Sequence, residues 1–382
     1  MKESIIIRNF GPINEIEIND IRPFTVFIGE SGSGKSTIIK VVALFRWIFK
    51  MVSIRSYLKQ SKITSSPFTF NFKEYLKNDG IVDYLTPTTE IIYQNGDCSI
   101  KYTPKTGLKT TDIKDRKQLS IEKISFISDK RNIIPDILAN KVNLGETAFY
   151  IKETLNDYLL AAKEIRELSI DYLGVKLIVK KTSAGEKFFI QNIVNDENYE
   201  INLEDASSGT QNVSPLSLII EYFSKNYNLT KSFNNSLLSY LVHSDNLSKF
   251  DAVTDVGGIK NRRVNIHIEE PELSLYPESQ RNLINFLIRK CFAQSHDGYD
   301  MTLMLTTHSP YILNHVNLLI KAGEKGKFEE GAQLLYENVD LYEVSNGSLN
   351  NLKLKNSKII DTRSLSIPIS DIYARYNELD KL

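Results

Sequence analysis

The chain has 382 residues, 41% of them hydrophobic, enough to bury a core of its own in one large domain or two ordinary ones. Its 47 Lys+Arg balance 47 Asp+Glu to a formal net charge of +0, so no global field draws it to nucleic acid or to an anionic membrane, and any such contact must be local. Two distant cysteines, Cys98 and Cys291, lack CxxC or His–Cys spacing, which argues against a disulfide framework and a zinc site and suits a reducing compartment. Met1-Lys2-Glu3-Ser4 leads into only three apolar residues, too few for a signal peptide. No run reaches the roughly 18 apolar residues of a membrane span, so a soluble cytoplasmic protein is expected.

In chain order, the first predicted element is a β-hairpin. In "SIIIRNFGPINEIEIND", Ile16 and Ile18 alternate with Glu15 and Glu17 after a Gly11-Pro12 turn, which gives the hairpin one covered face. Phe24-Thr25-Val26-Phe27-Ile28 follows, a short aromatic and β-branched run that reads as a buried strand. It enters Gly29-Glu30-Ser31-Gly32-Ser33-Gly34-Lys35-Ser36-Thr37, a match to GxxxxGK[ST]. From Ser36 to Phe49 apolar residues recur at helical spacing. Strand, glycine loop and helix is the order a phosphate cradle needs, because backbone N–H groups and the helix N-terminus then face the phosphates. Lys35 is expected to bridge the β- and γ-phosphates, Ser36 to ligate Mg²⁺ and Thr37 to sit by the α-phosphate. The loop alone leads one to expect ATP or GTP, with Mg²⁺.

Residues 51–145 carry a Thr/Lys/Asn-rich region, strands in "EIIYQNGDCSIKYTP", and a strand from Ile121 that ends at Ser128-Asp129-Lys130-Arg131. Arg131 reads most simply as an exposed loop charge, with a phosphate or interdomain role as the alternative. Residues 147–170 read as a helix. "DASSGTQNVSPLSLII" puts Ser208-Gly209-Thr210-Gln211 before a further helix, a pattern that alone marks a turn or cap. The polar stretch around "HSDNLSKFDAVTDVGGIKNRR" reads as an insert. "RRVNIHIEEPELSLYPESQ" then gives a strand, Val264 to Ile268, that ends on Glu269 and Glu270 and is stopped by Pro271. "TLMLTTHSPYIL" gives another that ends on Thr306-Thr307-His308. A hairpin is expected in "VDLYEVSNGSLNNLKLK" and a closing helix in "SDIYARYNELDKL". The basic clusters Lys114–Lys117 and Lys260–Arg263 read as solvated charge.

A hairpin running "IRNFGPI…EIEI" into the phosphate loop resembles the N-terminus of the ABC-type ATPases of the SMC, RecF and OLD group. The later motifs follow that group's order, with Ser208-Gly209-Thr210-Gln211 standing where it has SGGQ, then a Walker B strand, then a switch histidine. The resemblance implies an α/β P-loop NTPase: a single ABC-type ATPase head with an antiparallel β elaboration and a helical subdomain. Its parts would be the hairpin, loop and first helix at 1–50; the β elaboration at 51–145; the helical and signature part at 146–243; the polar insert at 244–263; the Walker B and switch-histidine core at 264–320; and a C-terminal hairpin and helix at 321–382. It implies that Glu269, where the group more often has Asp, holds Mg²⁺, that Glu270 is the general base, and that His308 bonds the γ-phosphate. Ser208, Gly209, Thr210 and Gln211 would bind the γ-phosphate carried by another subunit, and "ELSLYPES" would cross toward it. The group's Q-loop glutamine is not evident. The helix at 147–170 is too short for an SMC coiled coil, and the tail has no DxD motif for a Toprim nuclease. The implied cofactors are ATP and Mg²⁺, and the implied activity is ATP hydrolysis by a homodimer that closes around ATP as a nucleotide-gated scaffold for a separate effector protein. The chain is in this respect similar to ATPase subunits of bacterial anti-phage systems such as PARIS or Septu. The alternative is a RecF-like DNA-binding repair ATPase using Arg262 and Arg263.

Overall fold

The computed structural model describes residues 1–63, 70–142, 149–183, 185–193, 199–243, 256–293, 296 and 298–379. The opening hairpin is β1 (Glu3–Phe10) and β2 (Ile13–Ile18), followed by β3 (Phe24–Ile28) and α1 (Lys35–Gln60). Next come α2 (Phe72–Asn78), β4 (Leu85–Asn95), β5 (Cys98–Thr103), β6 (Gly107–Thr110), β7 (Ser120–Ile127) and α3 (Ile134–Leu138). The middle of the chain forms α4 (Phe149–Glu164), β8 (Glu167–Ile170), β9 (Val175–Thr182), β10 (Gly185–Asn192), β11 (Glu200–Asn202), α5 (Ser208–Lys225) and α6 (Leu229–His243). The last part holds β12 (Asn261–Glu269), α7 (Pro277–Ile288), β13 (Asp300–Thr307), α8 (Pro310–Glu324), β14 (Val339–Ser345), β15 (Ser348–Asn351), the short pair β16 (Lys353–Leu354) and β17 (Ile359–Ile360), and α9 (Arg363–Leu379).

The central six-stranded sheet has the order β15-β14-β3-β13-β12-β7. β7, β12, β13, β3 and β14 run parallel, and only the edge pair β14–β15 is antiparallel. Parallel strands are covered on both faces, which is why the loop strand is buried at all five positions and why Val264–Ile268 is apolar at alternate positions with buried Asn265 and His267 between. Helix α1 packs against this sheet and extends beyond Phe49, because Val52, Ile54, Tyr57 and Leu58 keep burying the same face. Ser53 fixes it there: its hydroxyl donates to the Ser120 carbonyl and accepts the Ser120 N–H, both at 2.8 Å.

A five-stranded antiparallel sheet, β2-β1-β4-β5-β6, forms the expected elaboration. It joins the core through a buried ionic cluster. Arg46 of α1 donates to both carboxylate oxygens of Glu3 on β1, at 2.7 and 3.1 Å, and to His267 Nε2 on β12 at 3.1 Å. Burial pushes the Glu3 carboxyl up, but Arg46 more than offsets this and leaves it below its ordinary value. Because Arg46 can only donate, His267 carries its proton on Nδ1, 3.1 Å from the Ser125 carbonyl.

Several expectations are corrected. The helix expected to reach residue 170 ends at Glu164, and Glu167–Ile170 pairs antiparallel with β9, its Leu168 and Ile170 turned inward. The segment expected to be helical thus also contains a four-stranded sheet, β11-β10-β9-β8. The expected C-terminal hairpin is present as β14 and β15, and its first strand in addition joins the central sheet, Val339–Glu343 pairing in parallel with Phe24–Ile28. α9 begins ahead of the expected segment and does not close over the body: Ile372, Tyr373 and Tyr376 are exposed. Arg131 is no exposed loop charge, since it is 0% exposed. Of the expected polar insert, residues 244–255 lie outside the described residues. No described helix is long and apolar enough to cross a membrane.

Candidate nucleotide site

The loop between β3 and α1 lies at the C-terminal ends of the parallel strands, beside the ends of β12 and β13. Gly29 has φ +156°, and a Cβ there would stand 2.4 Å from the Val344 carbonyl of β14. Only glycine lets the loop leave β3 so close to its neighbour. Lys35, buried at the start of α1, turns back and donates to the carbonyls of Gly29 and Glu30 at 2.9 and 2.8 Å. Burial pushes its ammonium down, with Glu270 and Glu272 acting the other way. A cleft of about 930 Å³ opens over the loop, walled by Gly29–Ser33, His308 and the β14–β15 turn. That turn docks on the opening hairpin, where the Gly347 carbonyl accepts the Asn14 N–H at 2.9 Å.

β12 and β13 deliver the acidic and imidazole groups. Glu269, 2% exposed, has Lys40 Nζ 3.9 Å from its Oε1 and the Ser36 hydroxyl acting on its carboxyl. Burial pushes its carboxyl up, while Lys40 and Ser36 act in the opposite sense. A desolvated carboxylate beside a hydroxyl is a donor pair of the hard-oxygen type that Mg²⁺ takes, so these residues fit the expected metal. Glu270 has the uncommon backbone φ of +43° and places Oε1 3.4 Å from His308 Nε2. Its N–H donates to the Thr306 carbonyl at 3.0 Å. Glu269, Glu270, His308 and the loop are therefore brought together.

Ser208–Gln211 is placed elsewhere. Ser207 caps α5, its hydroxyl accepting from the Thr210 N–H, and Ser208 is the first helical residue. Ser208 is exposed, Thr210 is buried, and Gln211 spends its amide on the carbonyls of Glu204 and Ala206 at 2.9 and 3.0 Å. None of the four lines the cleft over the loop. Gly209 is packed so closely that a Cβ would meet the Ser274 carbonyl at 2.8 Å, which joins this turn to the loop after Pro271.

Glu272 escaped sequence reasoning, and Arg131 was read first as a loop charge, with an interdomain role only as the alternative. Glu272 accepts from the Thr307 hydroxyl and the His308 N–H; its signal is its place as third carboxylate of "EEPE", beside a proline that ends the strand. Arg131 reaches the same strand end from β7, and nothing in its local sequence marks it.

A glycine loop between a parallel strand and a helix, with a carboxylate-tipped strand two places along the sheet, defines a P-loop nucleoside triphosphatase of the α/β class. The chain belongs to the AAA ATPase domain family, whose model matches residues 1–47 and 53–313. Membership of this family implies that the chain binds ATP. The structure is similar to the SMC head domain from Thermotoga maritima, with 10% identity over 93% of this chain and 99% of that one and a TM-score of 0.41. It is also similar to an SMC head bound to the C-terminal winged-helix domain of ScpA, with 9% identity over 93% and 98% and a TM-score of 0.41. A third similar structure is the recombination mediator RecF with an ATP analogue, with 11% identity over 92% and 98% and a TM-score of 0.38. No curated protein matches the sequence.

Proposed function

We propose that this chain hydrolyses ATP as a homodimer that closes head-to-tail over two ATP molecules, and that closure and reopening gate a separately encoded effector in bacterial anti-phage defence. The supporting observation is the division of the phosphate-recognition groups into two sets. The loop and His308 wall one cleft, with Glu270 3.4 Å from His308 and Glu269 beside Lys40 of α1, whereas Ser208 stands exposed at the start of α5 and lines none of that cleft. An exposed Ser–Gly helix start turned away from its own cleft is suited to complete the cleft of another copy.

In this reading the N–H groups of Gly29–Thr37 and the Lys35 ammonium hold the phosphates, which draws Lys35 off the Gly29 and Glu30 carbonyls. Ser36 and Glu269 hold Mg²⁺, which supplies charge neutralisation at the phosphates. Glu270 takes the proton of the attacking water, and His308, within 3.4 Å of it, orients against the γ-phosphate. Release of phosphate then loosens the contact made by the other copy's Ser208 and reopens the pair.

The experiment is a pull-down of the Glu270→Gln chain with ATP from its native host, with mass spectrometry and nucleic-acid staining of what co-purifies. A stoichiometric protein encoded nearby supports the scaffold; DNA without protein moves the reading to a RecF-like clamp. The arginines that a clamp would use are already engaged. Arg262 donates to the Ile259 carbonyl at 2.8 Å, and Arg263 lies 3.5 Å from the buried Glu3 carboxylate.

A further inference from the structure

Arg131 sits on the tight turn Asp129–Ile133 that follows β7, fully buried. Its guanidinium makes four hydrogen bonds, all to backbone carbonyls. Nη1 donates to Ser128 at 3.0 Å and to Glu269 at 2.8 Å, Nη2 donates to Glu270 at 2.7 Å, and Nε donates to Asn212 at 3.0 Å. Three segments therefore meet on one side chain: the end of β7, the first turn of α5, and the end of β12. The Asn212 amide adds a second tie, donating to the Ser208 carbonyl at 3.0 Å.

We propose that Arg131 is a positioning residue that makes the start of α5 and the backbone of Glu270 move as one body. This rests on the reading above, in which Ser208 serves another copy and Glu270 accepts the proton. Glu270 is held in a left-handed conformation that non-glycine residues rarely adopt. Its N–H is fixed by the Thr306 carbonyl, and its own carbonyl accepts from Arg131 at 2.7 Å and from the Leu273 N–H at 3.3 Å, so the conformation is determined from both sides. If Arg131 shifts with α5, the Glu270 carbonyl loses the shorter of its two bonds, and the carboxylate turns. Hydrolysis in one cleft thereby becomes sensitive to whether α5 of the same chain is engaged.

The chemistry of the contact supports a coupling role over a merely stabilising one. The guanidinium is buried against carbonyl dipoles, and burial pushes its pKa down to about 10, with Glu272 the leading carboxylate opposing the fall. A buried charge of this kind is an expensive way to stabilise a core, because its desolvation is offset only by the carbonyls it serves. Only a planar fork with several fixed N–H directions reaches three segments at once; a lysine ammonium on its flexible stem does not.

The test compares the full chain with its Arg131→Lys and Arg131→Met variants in ATP titration, steady-state hydrolysis and amide hydrogen exchange. The expected result is an ATP Kd within about twofold of the parent and a kcat lower by about a hundredfold. Exchange without nucleotide should rise by a common factor in 209–214 and in 269–273, while 29–37 is unchanged. An unchanged kcat overturns the proposal. So does faster exchange in only one of the two segments, or failure of both variants to fold, which would make Arg131 a stability element. A parent chain that neither hydrolyses ATP nor dimerises would sink the functional reading of the chain, yet the exchange of the two segments would still report their coupling.

Discussion

Thr307 and Glu272 are joined by a 2.6 Å hydrogen bond, in which the hydroxyl at the end of β13 donates to the Oε1 that also accepts the His308 N–H at 2.7 Å. The His308 backbone, from which the imidazole projects, is thus held by a carboxylate two residues past Glu270. Glu272→Ala should cost His308 its orientation, with a loss of about 2 kcal/mol, or roughly thirtyfold in kcat. Glu272→Gln keeps an acceptor oxygen and should recover most of the rate. Equal hydrolysis by the alanine variant and the parent would remove this role.

Lys35→Ala and Glu270→Gln should separate binding from chemistry. Loss of the ammonium removes charge-assisted bonds worth about 3 kcal/mol, so ATP affinity should fall roughly a hundredfold in equilibrium dialysis. Glu270→Gln should bind ATP normally, lose about 10²–10⁴ in kcat, and accumulate as a dimer by light scattering with ATP. A Glu270→Gln chain that turns over at the parental rate would remove the general-base assignment.

Gly29→Ala should damage the site through the backbone of β14. The added Cβ would stand 2.4 Å from the Val344 carbonyl, and a carbonyl within a paired strand cannot swing aside. Strain of about 1–3 kcal/mol is expected, divided between a lower melting temperature and at least tenfold weaker ATP binding. Calorimetry with and without ATP reads both, and a variant indistinguishable from the parent would show that the loop yields instead.

Acid should weaken the fold through His267. Burial first, and then the Arg46 charge, push its pKa from 6.5 down to about 3. Below about pH 6.5 the unfolded chain binds a proton that the native chain refuses, so this contribution is lost as pH falls, at about 1.4 kcal/mol per pH unit. Asp79 acts with the opposite sign: burial raises its carboxyl to about 7, so its contribution is lost as pH rises from 3.8 toward 7. The comparison that isolates His267 is with His267→Gln. Between pH 6.5 and 5, urea melts should show the parent losing about 2 kcal/mol relative to the variant; parallel pH profiles would contradict the assignment.

The hairpin, the loop, the carboxylate pair and the strand before His308 were legible because each is written in a few adjacent residues whose chemistry is local. The buried place of Arg131 was not, because its partners are carbonyls as far as 139 residues along the chain, and a carbonyl carries no residue type. The place of β14 was hidden by its alternation. Val339-Asp340-Leu341-Tyr342-Glu343 reads as half-exposed, yet Asp340 is buried against Lys353 at 3.4 Å and the strand is covered on both faces at its start. The strand Glu167–Ile170 was absorbed into the preceding helix because its leucine and isoleucine also fit the helical spacing.

The position of β3 between β13 and β14 bears on how the protein is made. Both strands that flank the phosphate-binding strand come from residue 300 onward, so they are synthesised well after the loop at residues 29–37. Such pairing has high contact order, and its loop-closure entropy must be met before any contact rewards it. A nascent chain halted before residue 300 thus holds the whole GESGSGKST motif with neither neighbour to shape it, so nucleotide capture waits for β13 and β14 and cannot nucleate the folding that precedes them.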